Sequence, residues 1–179
     1  MKYIKLFENF DSYDPYELMI IPPNKKGEML VEEIKKEDEA NLNLVRDLIT
    51  LGANLDWQDE DSWTSLHWCV YWNHPDIARM LVDAGADMNI QDNQRWTSLH
   101  LCARLNRPEI ARVLVDAGAD VNIQDEEGWT ALHYCAYHNH PEILRMLLDA
   151  GADKTIQDDE GNLPYELTSS KELKELLQP

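Results

Sequence analysis

An all-α solenoid of helix–turn–helix units with projecting hairpin loops is the fold this sequence predicts, and three observations predict it. First, "WTSLHWCVYWNHPD" at residue 63 returns as "WTSLHLCARLNRPE" and "WTALHYCAYHNHPE" at intervals of 33 residues. Self-similarity at a period of about 20–50 residues marks a stack of supersecondary units. The register holds at Trp63, Trp96 and Trp129; His67, His100 and His133; Cys69, Cys102 and Cys135; Pro75, Pro108 and Pro141; Gly85, Gly118 and Gly151; Asp92, Asp125 and Asp158. Second, apolar residues within a unit fall at helical spacing between helix start and stop signals. Third, the chain turns polar in its last helix, where a stack must meet water.

In chain order, residues 1–24 lie outside the repeat and hold both phenylalanines, Phe7 and Phe10. They are expected either as an arm docked on the first unit or as a short recognition segment ordered by a partner. Residues 25–57 read as a degenerate first unit. There Leu44, Leu48, Ile49 and Gly52 align with Ile77, Leu81, Val82 and Gly85, and Ile34 falls where His67 would be. Residues 58–90 form the first full unit. Its first helix starts behind Thr64, an N-cap type, and ends at Asn73, which tolerates the left-handed conformation. Pro75 then opens a second helix with Ile77, Leu81 and Val82 as its apolar stripe, ending at Gly85. "ADMNIQDNQR" supplies turn formers for a hairpin-like loop. Residues 91–123 and 124–156 repeat the pattern. Residues 157–179 shorten both helices into a cap, with Glu166 in the histidine position and Lys171, Glu172, Lys174 and Glu175 turned outward.

A 33-residue helix–turn–helix with a projecting loop, carrying "TSLH", "TSLH" and "TALH" followed by "LVDAGAD", "LVDAGAD" and "LLDAGAD", resembles the ankyrin repeat. Ser65, Ser98 and Ala131 replace the family's proline, and Asn73, Asn106 and Asn139 replace its glycine. Both changes are conservative for the backbone. The resemblance covers residues 25–179 and implies a non-enzymatic protein–protein interaction module. It also implies that His67, His100 and His133 make buried structural hydrogen bonds, and that loop tips and the outer faces of the first helices line a partner-binding groove. Separately, "MKYIKLFENF" resembles the leader that begins many proteins of tailed bacteriophages, which would place the chain in a host bacterial cytosol.

Composition narrows the partners. With 16 Lys+Arg against 34 Asp+Glu, the formal charge is −18. Such a chain repels nucleic acid and anionic membrane, so a basic protein is favoured over direct nucleic-acid binding. No stretch approaches the roughly 20 apolar residues of a membrane span, and no signal-peptide pattern opens the chain, so a cytoplasmic location is expected. Three cysteines, one per full unit, do not make a disulfide framework and agree with a reducing compartment.

The pairing of His67 with Cys69, repeated twice, invites a zinc site. Geometry opposes it: neighbouring helices pack about 8–10 Å apart, whereas zinc ligands converge to about 2.0–2.3 Å from one ion. Cysteines on that period are also too far apart for a disulfide, which wants Cα atoms within about 7 Å. Cys69, Cys102 and Cys135 are therefore expected to fill small structural positions. No nucleophile elbow, phosphate loop, metalloprotease motif or convergent carboxylate pair is present, so no catalytic residue, metal or cofactor is expected. Asp76 and Glu142 sit in helix first turns, where the helix dipole accounts for them.

The expected partner-binding surface is Glu60, Asp61, Trp63, Tyr71 and Trp72 in the first full unit, Trp96, Arg104 and Leu105 in the second, and Glu126, Glu127, Trp129, Tyr137 and His138 in the third. Trp, Tyr and Arg dominate binding hot spots. For Trp63, Trp96 and Trp129 two readings stay open: binding contacts, or a ladder packed against neighbouring loops. Tyr71 and Trp72 read as binding residues, because their helix does not need them for packing and the other units vary there. Charge is uneven: residues 58–90 carry one basic and six acidic residues, 91–123 four and four, 124–156 two and six, and 157–179 two and six. Acid on the loop tips suits a basic protein surface or serves as a solvated face that keeps the stack soluble. A sharper alternative is an acidic nucleic-acid mimic inhibiting a DNA- or RNA-handling or bacterial defence protein. Oligomeric state is not legible.

Overall fold

The computed structural model describes residues 15–36 and 40–178, among which there are ten α-helices, one 3-10 turn and no strand. The leader resemblance, Phe7 and Phe10 lie outside the described residues. Helices α1 (Pro15–Met19), α2 (Pro23–Ile34) and α3 (Leu42–Thr50) precede three near-identical pairs. These are α4 (Ser65–Trp72) with α5 (Pro75–Asp83), α6 (Ser98–Leu105) with α7 (Pro108–Asp116), and α8 (Ala131–His138) with α9 (Pro141–Asp149). A 3-10 turn at Pro164–Glu166 and α10 (Lys171–Leu177) close the stack.

Each pair folds as its punctuation dictates. Thr64, Thr97 and Thr130 hold extended backbone at the N-caps of α4, α6 and α8. Their N–H groups donate to Nδ1 of His67, His100 and His133 at 3.1, 3.0 and 3.1 Å, a reciprocal capping box. Asn73, Asn106 and Asn139 end those helices at φ of 60°, 54° and 59°, a region where asparagine is enriched. Pro75, Pro108 and Pro141 then start the second helices, where the missing N–H satisfies no bond anyway.

The pairs stack in two layers. First helices run α2, α4, α6, α8 and second helices α3, α5, α7, α9, each in contact with the next. Between them lies one continuous apolar strip from Leu18 to Leu177, with Leu66, Leu81, Leu99, Leu114, Leu132 and Leu147 fully buried. Burying each such side chain contributes about 1.5–3 kcal/mol, which makes this strip the main stabilising term.

The first unit departs from the period. The 33-residue register puts Ile34 in a helix first turn, like His67, but Ile34 is the last residue of α2. Pro23 begins that helix early, and the link from residue 35 to 41 replaces the two-residue turn of the other pairs. Buried Glu33 ties the end of α2 to the start of α3 by accepting from the Asn41 N–H at 2.7 Å, and it also accepts from the Lys36 ammonium at 2.6 Å. Lys26, also buried, donates to the Leu51 carbonyl at the end of α3. Gly27 admits no side chain, since a Cβ there would stand 2.4 Å from the Asn54 carbonyl oxygen. Upstream, Leu18 and Ile21 join the core, while Tyr16, Met19 and Ile20 stay exposed. At the other end, Glu166 Oε2 accepts from the Leu163 N–H at 2.7 Å, taking over the histidine's capping bond.

One aspartate organises each loop. Oδ1 of Asp59, Asp92, Asp125 and Asp158 accepts backbone N–H groups two and four residues ahead, at 2.7–3.1 Å. Gln58, Gln91 and Gln124 donate to the carbonyls of Gln91, Gln124 and Gln157 at 3.1, 3.2 and 3.1 Å. These amides staple successive loops and so fix what stands beside them.

Candidate protein-binding groove

Two aromatic clusters stand beside the loops. In the first full unit Trp63 meets Trp68 with ring centroids 4.7 Å apart and Tyr71 at 5.7 Å, and Tyr71 meets Trp72 edge-on at 4.9 Å. In the third, Trp129 meets Tyr134 at 4.9 Å and Tyr137 at 5.5 Å. Edge-on and tilted pairs at these distances are the favoured aromatic geometry, worth about 0.5–1.5 kcal/mol each. Around the first cluster lies a groove of about 540 Å³ that also touches Asp61, Asp92, Asn93 and Gln94. Around the second lies a groove of about 730 Å³ edged by Glu126, Glu127, Asp159 and Glu160, with Arg104 and His138 on its wall.

The second oxygen of three of the loop aspartates holds a ring. Asp59 Oδ2 accepts from the Trp68 indole at 2.9 Å, Asp92 Oδ2 from the Trp63 indole at 2.9 Å, and Asp125 Oδ2 from the Tyr134 hydroxyl at 2.7 Å. Burial pushes the Asp59 carboxyl up, but the Trp68 indole, the Lys35 ammonium and the Trp63 N–H outweigh it and hold it below the ordinary carboxylate value. Burial, then the Asp125 bond, drives the Tyr134 hydroxyl well above its usual range, so it stays a donor. On the second groove's edge, burial and the crowding of Asp125, Glu126 and Asp159 raise the Glu127 carboxyl above its ordinary value. Burial, His140 and Arg104 lower His138 below its ordinary value.

For Trp96 the packed reading dominates: it lines the second groove but is only 7 % exposed, because Tyr134 covers it at 5.1 Å and the Arg104 guanidinium lies 4.8 Å from its ring centroid. Its indole N–H is buried without a partner. The cause is local: in the next unit position 134 is tyrosine rather than leucine as at 101, and the Tyr134 hydroxyl occupies the Asp125 oxygen that corresponds to the partner of Trp63.

The other expected residues divide. Trp63 and Trp129 are half-buried, packed on loop and helix with one part of each ring lining a groove. Tyr71 and Tyr137 are 43 % and 60 % exposed on the groove walls. Trp72 lines the first groove and Arg104 and His138 the second. Leu105, half-buried, lines neither, and Glu60 belongs to a separate cleft with Lys35 and Trp57. Trp68, Tyr134 and Asn162 are lining residues that the sequence reading missed. The signal was present: position 68 reads Trp, Leu, Tyr through the three units, the same kind of variation that singled out Tyr71, Arg104 and Tyr137.

The histidines below the rings are 0–1 % exposed. Nδ1 accepts the threonine N–H, so Nε2 carries the proton and donates to the carbonyls of Trp96, Trp129 and Asn162 at 3.1, 3.1 and 3.4 Å. Each therefore ties its unit to the next, and burial lowers its affinity for a second proton. Cys69, Cys102 and Cys135 are free, buried thiols whose burial pushes them far above the thiolate range.

A family model described as Ankyrin repeats (3 copies) matches residues 34–125 and 85–158. The chain belongs to the ankyrin-repeat family. Ankyrin repeats indicate a protein–protein interaction module, and proteins built from them are typically non-enzymatic. A search of curated proteins finds no match. Among the described residues no helix is long and apolar enough to cross a membrane.

Proposed function

We propose that this protein binds a basic protein partner along the aromatic, acid-edged face formed by its three full repeats. The observation that carries the reading is the coincidence, on one face, of exposed tyrosines over half-buried tryptophans with carboxylates at the edge. Tyr71, Trp72, Tyr137 and His138 supply contact area at low entropic cost, and Asp61, Glu126 and Glu127 supply complementary charge. Trp63 and Trp129 hold the rings from below, and Arg104 gives the face one positive point between two acidic ones.

The test is affinity capture from a lysate of the source organism at low and high salt, comparing wild type with a Tyr71→Ala, Trp72→Ala double variant. The expected result is a basic protein retained by wild type in high salt and lost by the variant, because aromatic anchoring survives screening and ion pairing does not. A nucleic-acid-handling protein kept by the variant, yet released by salt, would instead assign the acidic nucleic-acid-mimicking inhibitor.

A further inference from the structure

The two aromatic clusters are near copies of each other, and the formally neutral unit between them presents an arginine instead. Trp63 meets Trp68 at 57° and Tyr71 at 63°; Trp129 meets Tyr134 at 59° and Tyr137 at 61°. In the intervening repeat Leu101 stands where Trp68 and Tyr134 do, and Arg104 where Tyr71 and Tyr137 do. The loop tips alternate likewise: Glu60 and Asp61, then Asn93 and Gln94, then Glu126 and Glu127. The face therefore reads aromatic with acid, then arginine, then aromatic with acid.

The chain's own cations show what these rings accept. The Lys35 ammonium lies 4.7 Å from the Trp68 ring centroid and 3.1 Å from the Asp59 carboxylate. The Arg104 guanidinium covers Trp96 in the same manner. A cation over an aromatic face is held by the ring quadrupole, and a carboxylate alongside adds direct charge attraction. The crowded carboxylates around Glu127 gain most from a positive group brought among them. Arg104, on the wall of the second groove, repels a cation at the centre of the face and leaves the carboxylate edge of that groove, Glu126, Glu127, Asp159 and Glu160, to a ligand cation.

Helices pack about 8–10 Å apart, so clusters two repeats apart are separated by about 16–20 Å, which about five or six residues of extended chain span at roughly 3.3 Å each. We infer that the face reads an extended basic segment whose two Arg or Lys side chains, about six residues apart and so on one side of the strand, fill the two clusters, while an acidic residue between them on that same side pairs with Arg104. This rests on the proposed protein-binding reading and adds to it the spacing and charge order of the ligand.

The experiment measures binding of fluorescein-labelled synthetic peptides to the full chain by anisotropy. Peptides carry two arginines about six positions apart around a glutamate, two arginines placed next to each other, or one arginine. The spaced peptide is expected to bind on the order of a hundredfold more tightly than the single-arginine peptide, since its second contact is intramolecular. Tyr71→Ala and Tyr137→Ala should each reduce it to the single-arginine level. Each variant loses ring contacts to its neighbours, so its thermal melt should fall by a few degrees but stay a single cooperative transition, and peptide binding is measured well below it. Arg104→Glu should switch the preferred central residue from glutamate to lysine. Affinity independent of spacing, or a central preference unmoved by Arg104→Glu, overturns the inference. If that happens while Tyr71→Ala, Trp72→Ala still abolishes capture of a basic protein, the protein-binding reading stands without this ligand. If neither peptides nor lysate proteins bind, both fall.

Discussion

A single carboxylate oxygen in each loop takes a different neighbour from unit to unit. Asp92, Asp125 and Asp158 occupy one position of the repeat, yet their Oδ2 atoms accept from Trp63, Tyr134 and Asn162 in turn. Asp125 is 1 % exposed and accepts three hydrogen bonds. Bonds to a buried charged group are worth about 1.5–3 kcal/mol each, and losses within one group overlap, so Asp125→Ala should cost about 3–5 kcal/mol in urea unfolding. Tyr134→Phe should cost no more than about 1.5 kcal/mol, because the unpaired Trp96 indole can take the vacated oxygen as Trp63 takes Asp92. A shift of the Trp96 indole N–H resonance in that variant checks the exchange of partners; an unmoved resonance refutes it.

The buried histidines give a pH dependence of definite sign. Their native affinity for a proton is lowered from an ordinary value of 6.5, so the unfolded chain takes up protons first as pH falls. Stability is therefore full above that value and declines below it, by up to about 1.4 kcal/mol per pH unit for each histidine. Urea unfolding between about pH 6.5 and 5.5 lies above the carboxylate range and should show the decline. His133→Gln, which keeps a capping-box side chain, should make the decline shallower. A wild-type stability that is flat across that window would show that the histidines keep their ordinary affinity.

Among elements, the loop shows how the same position is satisfied at different cost. Ser62, Arg95, Gly128 and Gly161 all adopt positive φ at equivalent places. At Gly128 the next loop also closes in: a Cβ would lie 2.9 Å from the Asp159 backbone nitrogen and 3.1 Å from Asp158 Cα. Those are backbone atoms fixed by the staple from Gln124, so they cannot give way as a side-chain end would. Gly128→Ala is expected to lower stability by about 1–3 kcal/mol in thermal or urea melts, the range for overpacking. Helix ends, in contrast, were legible from the sequence. Thr64, Asn73 and Pro75 fix where α4 stops and α5 starts by local chemistry, and the same types recur in the next two units. The start of α2 was not legible from the period, because Pro23, Gly27 and the tie from Glu33 to Asn41 have no counterpart in the other units.

At the scale of the whole molecule, a formal charge of −18 with acid concentrated outside the middle repeat makes self-repulsion the dominant long-range term. Ion pairs such as Arg145 with Glu172 and Lys171 with Glu175 are exposed and contribute little that salt could remove. Added sodium chloride should therefore raise the melting temperature, at about 2–4 °C for each kcal/mol of repulsion relieved. A melting temperature that falls with salt would mean that ion pairing outweighs repulsion.

Everything that repeats or acts within one turn of chain is legible in the residues alone: the period, the helix caps, the apolar strip, the acidic tips and the variable positions 71, 104 and 137. Which side chains meet across units emerges only when the repeats pack. Trp63 finds its carboxylate 29 residues ahead, Arg107 caps α4 from 36 and 37 residues away, and Trp96 is largely covered by Tyr134 and Arg104. Local signals set the conformation of each segment, but a ring's exposure depends on the identity of the residue stacked above it, and that is fixed only when neighbouring repeats pack.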